Sequence, residues 1–374
     1  MSGLPNSSNA VMSDANDKRD RDKKSRVHEK ETVLFYRGYG SYSPAGDCWH
    51  LRVHGRVYGQ KQRFIRDRAL LFLLKRFVKP EKQSGEHEVF MERANLFLKE
   101  NRRGKSIPVT IGEQAFSLPD TTEHGHFEAT ITMPAQELEG AMVTLPDGRK
   151  FVRFCVELPE DDGRVFAGDV ELLRLEGISV ISDVDDTIKV TNTANRGELL
   201  KNTFARQFRA VEGMPDVYQQ WAAAGCSFHY VSAGPWPLYE PLDRWLTDDG
   251  FPAGSLHLRY VGLQELRKDK AGIGSFNSKR STIEQILRAF PHRHFILCGD
   301  AGERDAELYG AIARTFGRQV THIFIRQVGG RHNPDGVKSE QIEQFDPGRT
   351  DRWTIFESAA EIVNKLARDD SAGK

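Results

Sequence analysis

The second half of the chain alternates short apolar runs with helical stretches, and this pattern restricts the fold more than any other feature. Strands separated by helices form parallel sheets that are covered on both faces. The sequence therefore predicts an α/β domain over 177–367, with a ligand site beyond the carboxyl ends of its strands. Strands are predicted at 177–182, 226–231, 294–298 and 321–326, and helices at 215–224, 238–246, 281–290, 304–316 and 357–367.

The stretch from 31 to 176 has a different pattern, in which apolar and polar residues alternate over short runs. Turn sequences at 146–148 and 161–163 separate such runs. Several short strands at this spacing indicate an N-terminal, mainly-β domain that resembles a sandwich or a small barrel. The clearest alternating runs are 49–58, 107–111, 127–133 and 151–158.

One segment interrupts these strands. Residues 62–79 lack Gly and Pro and predict a helix, and the surrounding stretch from Lys61 to Lys82 carries eight basic and two acidic residues. A basic amphipathic helix can lie on an anionic membrane surface. The alternative is a helix packed on the sandwich, with its leucines buried and its arginines in solvent.

The charge of the chain excludes a bulk nucleic-acid binder. Lysine plus arginine and aspartate plus glutamate each number 53, so the chain has no net positive charge to neutralise phosphates. The first 110 residues nevertheless hold 23 basic and 13 acidic groups, which suggests that the two parts of the chain meet different partners.

Residues 1–30 have no apolar core segment and indicate a disordered charged tail without a signal peptide. A run of about 18 apolar residues, which a transmembrane helix requires, is absent from the sequence. The four cysteines have no paired spacing and are typical of small buried residues in a reducing compartment. We therefore expect a cytoplasmic protein that associates peripherally with membranes.

The first strand of the α/β region ends in Asp183-Val-Asp185-Asp-Thr187. With a period of two, Asp183 and Asp185 point to the same side, where two carboxylates repel each other unless a cation lies between them. A site with only a few oxygen ligands from the protein suits Mg²⁺, which keeps several bound waters. A calcium-binding loop would instead need Gly at the position of Ile188. One carboxylate could attack phosphorus to form an aspartyl-phosphate, and the other could act as general acid and base.

Later strand ends supply further polar groups. Ser232 and the backbone amides after it could donate to a phosphoryl oxygen, although a serine in this position is most often a helix cap. Asp300 would reach the same metal from a neighbouring strand, and Asp305 could orient the metal or its waters. Lys279, just before the predicted helix that Ser281 caps, could neutralise the aspartate nucleophile, although most lysines are solvated surface charges.

Taken together, these groups resemble the four motifs of the haloacid-dehalogenase (HAD) phosphatase superfamily. The longer motifs resemble the catalytic domain of the App1-type phosphatidate phosphatases, and the basic segment after HGRVY (54–58) resembles the region that precedes it. The segments that carry the resemblance are ISDVDDTIKVT (181–191), YVSAGPWPLYEPL (230–242), GFPAG (250–254), GDAGERDAELYG (299–310) and IFIR (323–326).

The resemblance implies a HAD-like Rossmannoid sheet and a Mg²⁺-dependent phosphatidate phosphatase that releases diacylglycerol and phosphate at a membrane surface. It implies that Asp183 is the nucleophile and that Asp185 is the general acid and base. The residues expected to bind the substrate phosphoryl group are Thr187, Ser232 and Lys279. The residues expected at the metal are Asp183, Asp185 (through its backbone carbonyl), Asp300 and Asp305.

Two positions depart from the pattern of the family. Gly234 replaces a second serine after Ser232, and Ala301 replaces the serine after Asp300. Only about 48 residues separate Asp183 from Ser232, which predicts a small cap and an open mouth by analogy with other HAD folds. Two alternatives stay open: hydrolysis of a soluble phosphate ester, and a lipid- or protein-binding adaptor with an inactive phosphatase domain. Retention of Asp183 and Asp185 argues against the adaptor.

Overall fold

The computed structural model describes residues 26–59, 72, 75, 76, 78, 80, 85–260, 273–329 and 336–365. The chain divides into two compact units. The first comprises Met1–Gly40, Pro44–Gln62 and Lys99–Leu172, and the second comprises Ser41–Ser43, Arg63–Leu98 and Leu173–Lys374. The domain boundaries predicted from the sequence stay predictions.

The first region is rich in strands, as the alternating pattern predicted. Strand β3 pairs antiparallel with β1, β4 and β7, and the main path through the sheet runs β1-β3-β2-β10-β9-β5-β6. The ten strands are β1 (Glu31–Phe35), β2 (Gly38–Ser43), β3 (Cys48–Gly59), β4 (Glu100–Asn101), β5 (Ile107–Ile111), β6 (Gln114–Leu118), β7 (His126–Pro134), β8 (Met142–Thr144), β9 (Lys150–Val156) and β10 (Ala167–Leu173).

Alternation along these strands builds one apolar core. In β5, Ile107, Val109 and Ile111 are buried while the residues between them are partly exposed, because successive side chains of a strand point to opposite faces. They join Phe35, Phe127 and Phe154 in one cluster. A short helix, α2 (Ala135–Glu139), follows β7.

The second region contains a fully parallel six-stranded sheet in the order β13-β12-β11-β14-β15-β16. The chain moves outward from β11 to β13 and then returns to β14 on the other side of β11. Strand order therefore reverses between β11 and β14, and such a point is where ligands bind in α/β sheets. The strands are β11 (Ile178–Ser182), β12 (Ser227–Pro235), β13 (Ser255–Arg259), β14 (His294–Asp300), β15 (Val320–Arg326) and β16 (Trp353–Phe356).

Helices connect these parallel strands, which confirms the α/β class predicted for this part of the chain. Asn195 caps one of them, since its side chain accepts hydrogen bonds from Gly197 N (3.0 Å) and Glu198 N (3.2 Å). The helices are α1 (Glu86–Leu98), which belongs to this unit although it precedes β4 in the chain, and then α3 (Arg196–Phe204), α4 (Met214–Ala223), α5 (Tyr239–Asp248), α6 (Ile273–Ala289), α7 (Asp305–Thr315) and α8 (Ser339–Phe345). Short 3₁₀ helices lie at Trp236–Leu238, Thr350–Arg352 and Ala359–Glu361.

Two sequence predictions about helices were wrong. Helix α6 begins at Ile273, eight residues before the predicted start, so Ser281 is not its cap and Lys279 lies inside the helix. The final helix predicted at 357–367 is, over its described residues, a 3₁₀ turn at Ala359–Glu361 followed by turns. Strands β13 and β16 were not predicted, because each is short and lies at an edge of the sheet.

The basic helix predicted at 62–79 lies mostly outside the described residues. Phe72, Lys75, Arg76 and Val78 are helical, and of these Phe72 is 65% exposed while Val78 is 1% exposed. Val78 is buried in a small cluster with residues of α1 and α3. Whether this helix contacts a membrane stays a prediction. Among the described residues, no helix is long and apolar enough to cross a bilayer.

Arg293 holds the start of β11 in place. Its buried guanidinium donates to Ser179 Oγ (3.0 Å) and to the carbonyl oxygens of Arg174 (2.8 Å), Glu176 (2.9 Å) and Ile178 (2.7 Å). Replacing it by methionine would leave these buried acceptors without a donor.

We expect Arg293→Met to lower the free energy of unfolding by about 3 kcal/mol, measured by urea denaturation. The matched control is Arg288→Met, because the Arg288 side chain is 63% exposed and an exposed ion pair contributes at most about 1 kcal/mol. Equal stability losses in the two variants would contradict this role of Arg293.

Candidate active site

The carboxyl ends of β11 and β14 bring two buried aspartates together. Ser182 pairs with Cys298 in the sheet, and Asp183 N donates to Cys298 O at 2.8 Å. Asp183 follows β11 and is 1% exposed, while Asp300 ends β14 and is fully buried. The structure thus places both residues where the strand-end rule predicted.

Lys279 is the cation that faces these acids. Its Nζ lies 2.6 Å from Asp183 Oδ1, 2.9 Å from Asp305 Oδ1 and 3.2 Å from Glu303 Oε2. Burial lowers the pKa of Lys279, but these carboxylates outweigh burial and hold the pKa well above its ordinary value. Lys279 is therefore charged, and it is not the solvated surface lysine of the alternative interpretation.

The approach of Asp305 to this group depends on Gly299. A Cβ at that position would lie 2.6 Å from Asp305 Oδ2 and 2.7 Å from Tyr309 Cε2. Both atoms belong to α7, so any larger residue at 299 would push α7 and its first-turn aspartate away from Lys279. The glycine before Asp300 is thus a requirement of close packing between β14 and α7.

The acids around Lys279, which are Asp183, Asp300, Glu303 and Asp305, outnumber this one lysine. Burial raises the pKa of Asp183 and of Asp300 well above the ordinary value, and neighbouring carboxylates add to both rises while Lys279 opposes them. Asp300 Oδ1 accepts from Glu303 N at 3.2 Å, whereas Asp300 Oδ2 is buried and has no hydrogen-bond partner among the described residues. A second cation would satisfy this oxygen and stabilise both ionised aspartates.

The donor set fits a hard divalent cation. Asp183 and Asp300 offer carboxylate oxygens at adjoining strand ends, and oxygen is the ligand that Mg²⁺ prefers. Asp305 contacts Lys279, and Lys279 also contacts Asp183, so Asp305 belongs to the same cluster of acids. Within the part of the chain that the structure describes, no three His, Cys, Asp or Glu side chains already converge on one metal position.

Asp185 has different surroundings from Asp183. Its Oδ1 lies 2.7 Å from Lys189 Nζ and accepts from Thr191 Oγ1 at 2.8 Å, while its Oδ2 accepts from Ser232 Oγ at 3.0 Å. Burial raises the pKa of Asp185, but Lys189 and the hydrogen bonds outweigh burial and lower it overall. Asp185 is therefore ionised in the substrate-free protein.

Lys189, which is 2% exposed, was not predicted from the sequence as a site residue. Its spacing of four from Asp185 was the available signal, because a buried lysine just after two acids has to find a carboxylate partner.

Ser232 and Thr187 each contact one of the candidate carboxylates, Asp185 and Asp183 respectively. Ser232 lies within β12 and accepts from Gly234 N at 2.9 Å as it donates to Asp185, so it does not cap a helix. Thr187 is buried, and its hydroxyl donates to Asp183 Oδ2 at 3.0 Å. The roles of these residues in binding substrate stay predictions.

Asp186 was also missed, and it holds the loop that carries Asp185 and Lys189. Its backbone adopts a left-handed φ of 56°. Its carboxylate accepts from three successive amides, those of Thr191 (2.9 Å), Asn192 (2.7 Å) and Thr193 (2.6 Å). Arg326 of β15 donates to the Asp186 carbonyl at 2.7 Å. Hydrogen bonds to both the carboxylate and the backbone carbonyl of Asp186 therefore hold the loop in this conformation.

A cavity of about 250 Å³ opens onto these groups. Its polar end is lined by Asp185, Ser232, Lys279 and Asp305. This volume is close to the lower limit for small-molecule sites, so the cavity has room for more than a phosphate group.

Comparison with known proteins identifies the class of this domain. Residues 178–327 match the family described as "Phosphatidate phosphatase APP1, catalytic domain". The resemblance predicted from the motifs is confirmed, since this segment matches the APP1 catalytic-domain family.

Two curated relatives match part of this chain. Phosphatidate phosphatase APP1 of Saccharomyces cerevisiae is 34% identical over 154 residues, which cover 40% of this chain and 26% of that protein. An uncharacterised protein of Schizosaccharomyces pombe is 30% identical over 171 residues, which cover 44% of this chain and 27% of that protein. The chain thus matches only about a quarter of the length of these relatives.

Among solved structures, a β-glucuronidase from Parabacteroides merdae shares 9% identity and covers 80% of this chain and 34% of that chain, at a TM-score of 0.27. A score this low supports no argument about fold or function.

The raised pKa of Asp300 predicts that its charge destabilises the metal-free protein. The ionised form is disfavoured on folding, so the destabilisation is absent below the unfolded pKa and grows as pH rises through the folded pKa. In EDTA at pH 8 we expect Asp300→Asn to raise the Tm by about 3 °C, and by less at pH 5.5, measured by differential scanning fluorimetry.

The control for this measurement is Asp161→Asn, which removes an exposed carboxylate and should leave the Tm unchanged at both pH values. A lower Tm for Asp300→Asn at pH 8 would show that the carboxylate is stabilising, contrary to the prediction.

Proposed function

We propose that this chain hydrolyses phosphatidate to diacylglycerol and phosphate in a Mg²⁺-dependent reaction of the HAD type, through an aspartyl-phosphate. The observation that carries the proposal is the buried contact of Asp183 with Lys279 and Thr187 within a segment that matches the APP1 catalytic domain. The sheet order, which reverses between β11 and β14 beside this group, is compatible with a HAD-like fold.

In the first half of the reaction, Asp183 attacks phosphorus. Lys279 and Thr187 hold its carboxylate in position and oppose the negative charge that develops on the phosphoryl group. A bond forms between an Asp183 oxygen and phosphorus as the bond from phosphorus to the lipid oxygen breaks. Mg²⁺ bound by Asp183, Asp300 and the Asp185 carbonyl would supply further neutralisation of that charge.

The leaving lipid oxygen needs a proton, and Asp185 is ionised before substrate binds. The second ionisation of a phosphate monoester has a pKa of about 6, so the substrate monoanion can bring this proton and Asp185 can relay it. In the second half, Asp185 accepts a proton from water, the water oxygen attacks phosphorus, and the bond to Asp183 breaks. Ser232 orients Asp185 throughout.

The cysteine spacing and the charge distribution of the sequence support a cellular location for this reaction. We propose a cytoplasmic protein that associates peripherally with membranes, since its cysteines lack disulfide spacing and its first 110 residues are basic. Phe72, Lys75 and Arg76, the described residues of the basic helix that are exposed, are compatible with contact between that helix and anionic lipid.

The reaction is tested by phosphate release from phosphatidate in detergent micelles, with Mg²⁺ and with EDTA. We expect release that requires Mg²⁺ and that falls at least about a thousandfold in Asp183→Asn, because the nucleophile is lost. Asp161→Asn is the matched control and should keep full activity.

A soluble aryl phosphate measured in parallel separates the alternatives. Release from the aryl phosphate alone would keep the chemistry and discard the lipid substrate. No release from either compound would favour an adaptor, as would intact cellular function of Asp183→Asn.

Contact between the basic helix and membranes is tested separately. Replacing Arg63, Arg66, Arg68, Lys75 and Arg76 by Gln should weaken binding to phosphatidate vesicles by about a thousandfold or more, since each basic residue near an anionic surface contributes about 1 kcal/mol. Vesicle cosedimentation measures this, and the same variant should keep its activity on a soluble substrate. Unchanged vesicle binding by the folded variant would exclude the helix as the docking element.

A further inference from the structure

One wall of the cavity is apolar, and the proposed chemistry at its polar end makes no use of it. The wall is formed by α3, the loop after it, the 3₁₀ turn at Trp236–Leu238 and α5. Its residues are Leu199, Leu200, Phe204, Phe208, Leu238 and Leu242. Leu199, Leu200 and Phe208 are half-buried, so they keep apolar surface accessible in the part of the chain that the structure describes.

This wall adjoins the catalytic carboxylates. The Phe208 ring centroid lies 5.1 Å from Lys189 Nζ, and the same Nζ lies 2.7 Å from Asp185 Oδ1. The group attached to a phosphate held beside Asp185 would therefore meet Phe208 and the leucines behind it. A sugar or other polyol would lose hydrogen bonds to water against such a surface.

The wall is fixed in place before any ligand arrives. Arg93 of α1 donates to the carbonyl oxygens of Thr203 (2.9 Å) and Arg206 (2.7 Å), which holds the end of α3. Asn202 donates to Thr191 O at 2.9 Å, which ties α3 to the catalytic loop. The Arg93 guanidinium also lies 3.6 Å from the Phe208 ring centroid. A preformed apolar surface can bind a chain without an ordering cost.

We propose that this wall, formed by Leu199, Leu200, Phe204, Phe208, Leu238 and Leu242, is a binding site for a hydrocarbon chain of a lipid phosphate. This inference rests on the proposed function for the position of the phosphate. It assigns the lipid chain to the protein interior next to Asp185, so that the substrate is recognised by its tail as well as by its phosphate and is partly withdrawn from the bilayer.

The test uses n-alkyl phosphonates from ethyl to decyl, which resemble phosphate monoesters and resist hydrolysis. Binding to the full chain is measured with Mg²⁺ by isothermal titration calorimetry, below the concentrations at which the probes aggregate. We expect the Kd to fall about three- to fourfold for each added methylene until the cavity is full, and then to level off. A Kd independent of chain length would overturn the proposal, whether the wall is unused or is covered by another segment of the chain.

Two substitutions of Leu199 localise the effect. Leu199→Gln should reduce the gain for each methylene, because the wall becomes polar, and Leu199→Trp should make the Kd level off at a shorter chain. The matched control is Val165→Gln, since Val165 is 77% exposed and does not line the cavity. An unchanged chain-length dependence in both Leu199 variants would also overturn the assignment.

The phosphonates separate this inference from the proposed reaction. A chain-length dependence without phosphate release from phosphatidate would remove the phosphatase proposal and keep the apolar site. Phosphate release without any chain-length dependence would keep the phosphatase and remove the apolar site.

Discussion

The ion pairs of the buried Lys279 hold the carboxyl end of the parallel sheet together. One ammonium contacts the acid after β11 and the first acid of α7, and it also reaches Glu303 in the turn between β14 and α7. Without this cation Asp183 and Asp305 would be buried with no positive partner among the described residues, which is strongly destabilising. The position of α6 therefore sets the position of Asp183, the proposed nucleophile, although α6 contributes no acid of its own to these contacts.

Asp183 and Asp185, two of the three aspartates that follow β11, each contact a different lysine. Asp183 contacts Lys279 but is crowded by other carboxylates, whereas Asp185 contacts Lys189 and accepts two hydroxyl hydrogen bonds. Burial acts on both, and yet the pKa of Asp183 is raised and that of Asp185 is lowered. Identical side chains two residues apart thus have different acidities, as the proposed roles of nucleophile and proton carrier require.

Much of the site followed from the sequence, because strands that alternate with helices bring their carboxyl ends to one edge. This rule alone placed Asp183, Ser232 and Asp300 together, and the structure agrees. It could not place Lys189 or Asp186, because their contacts depend on a loop with left-handed backbone at Asp186 and Asn192. The sequence also did not predict that α6 extends back to Ile273, eight residues before the start expected from Ser281.

The Asp186 loop has a thermodynamic consequence. A loop that orders only around its ligand loses backbone entropy at each binding event, about 1–2 kcal/mol for every residue fixed. Here three amides are already bound by one carboxylate of the same loop, so that entropy is lost once, when the chain folds. Affinity for a ligand at Asp185 is then free of this penalty, and every binding event meets the same loop conformation.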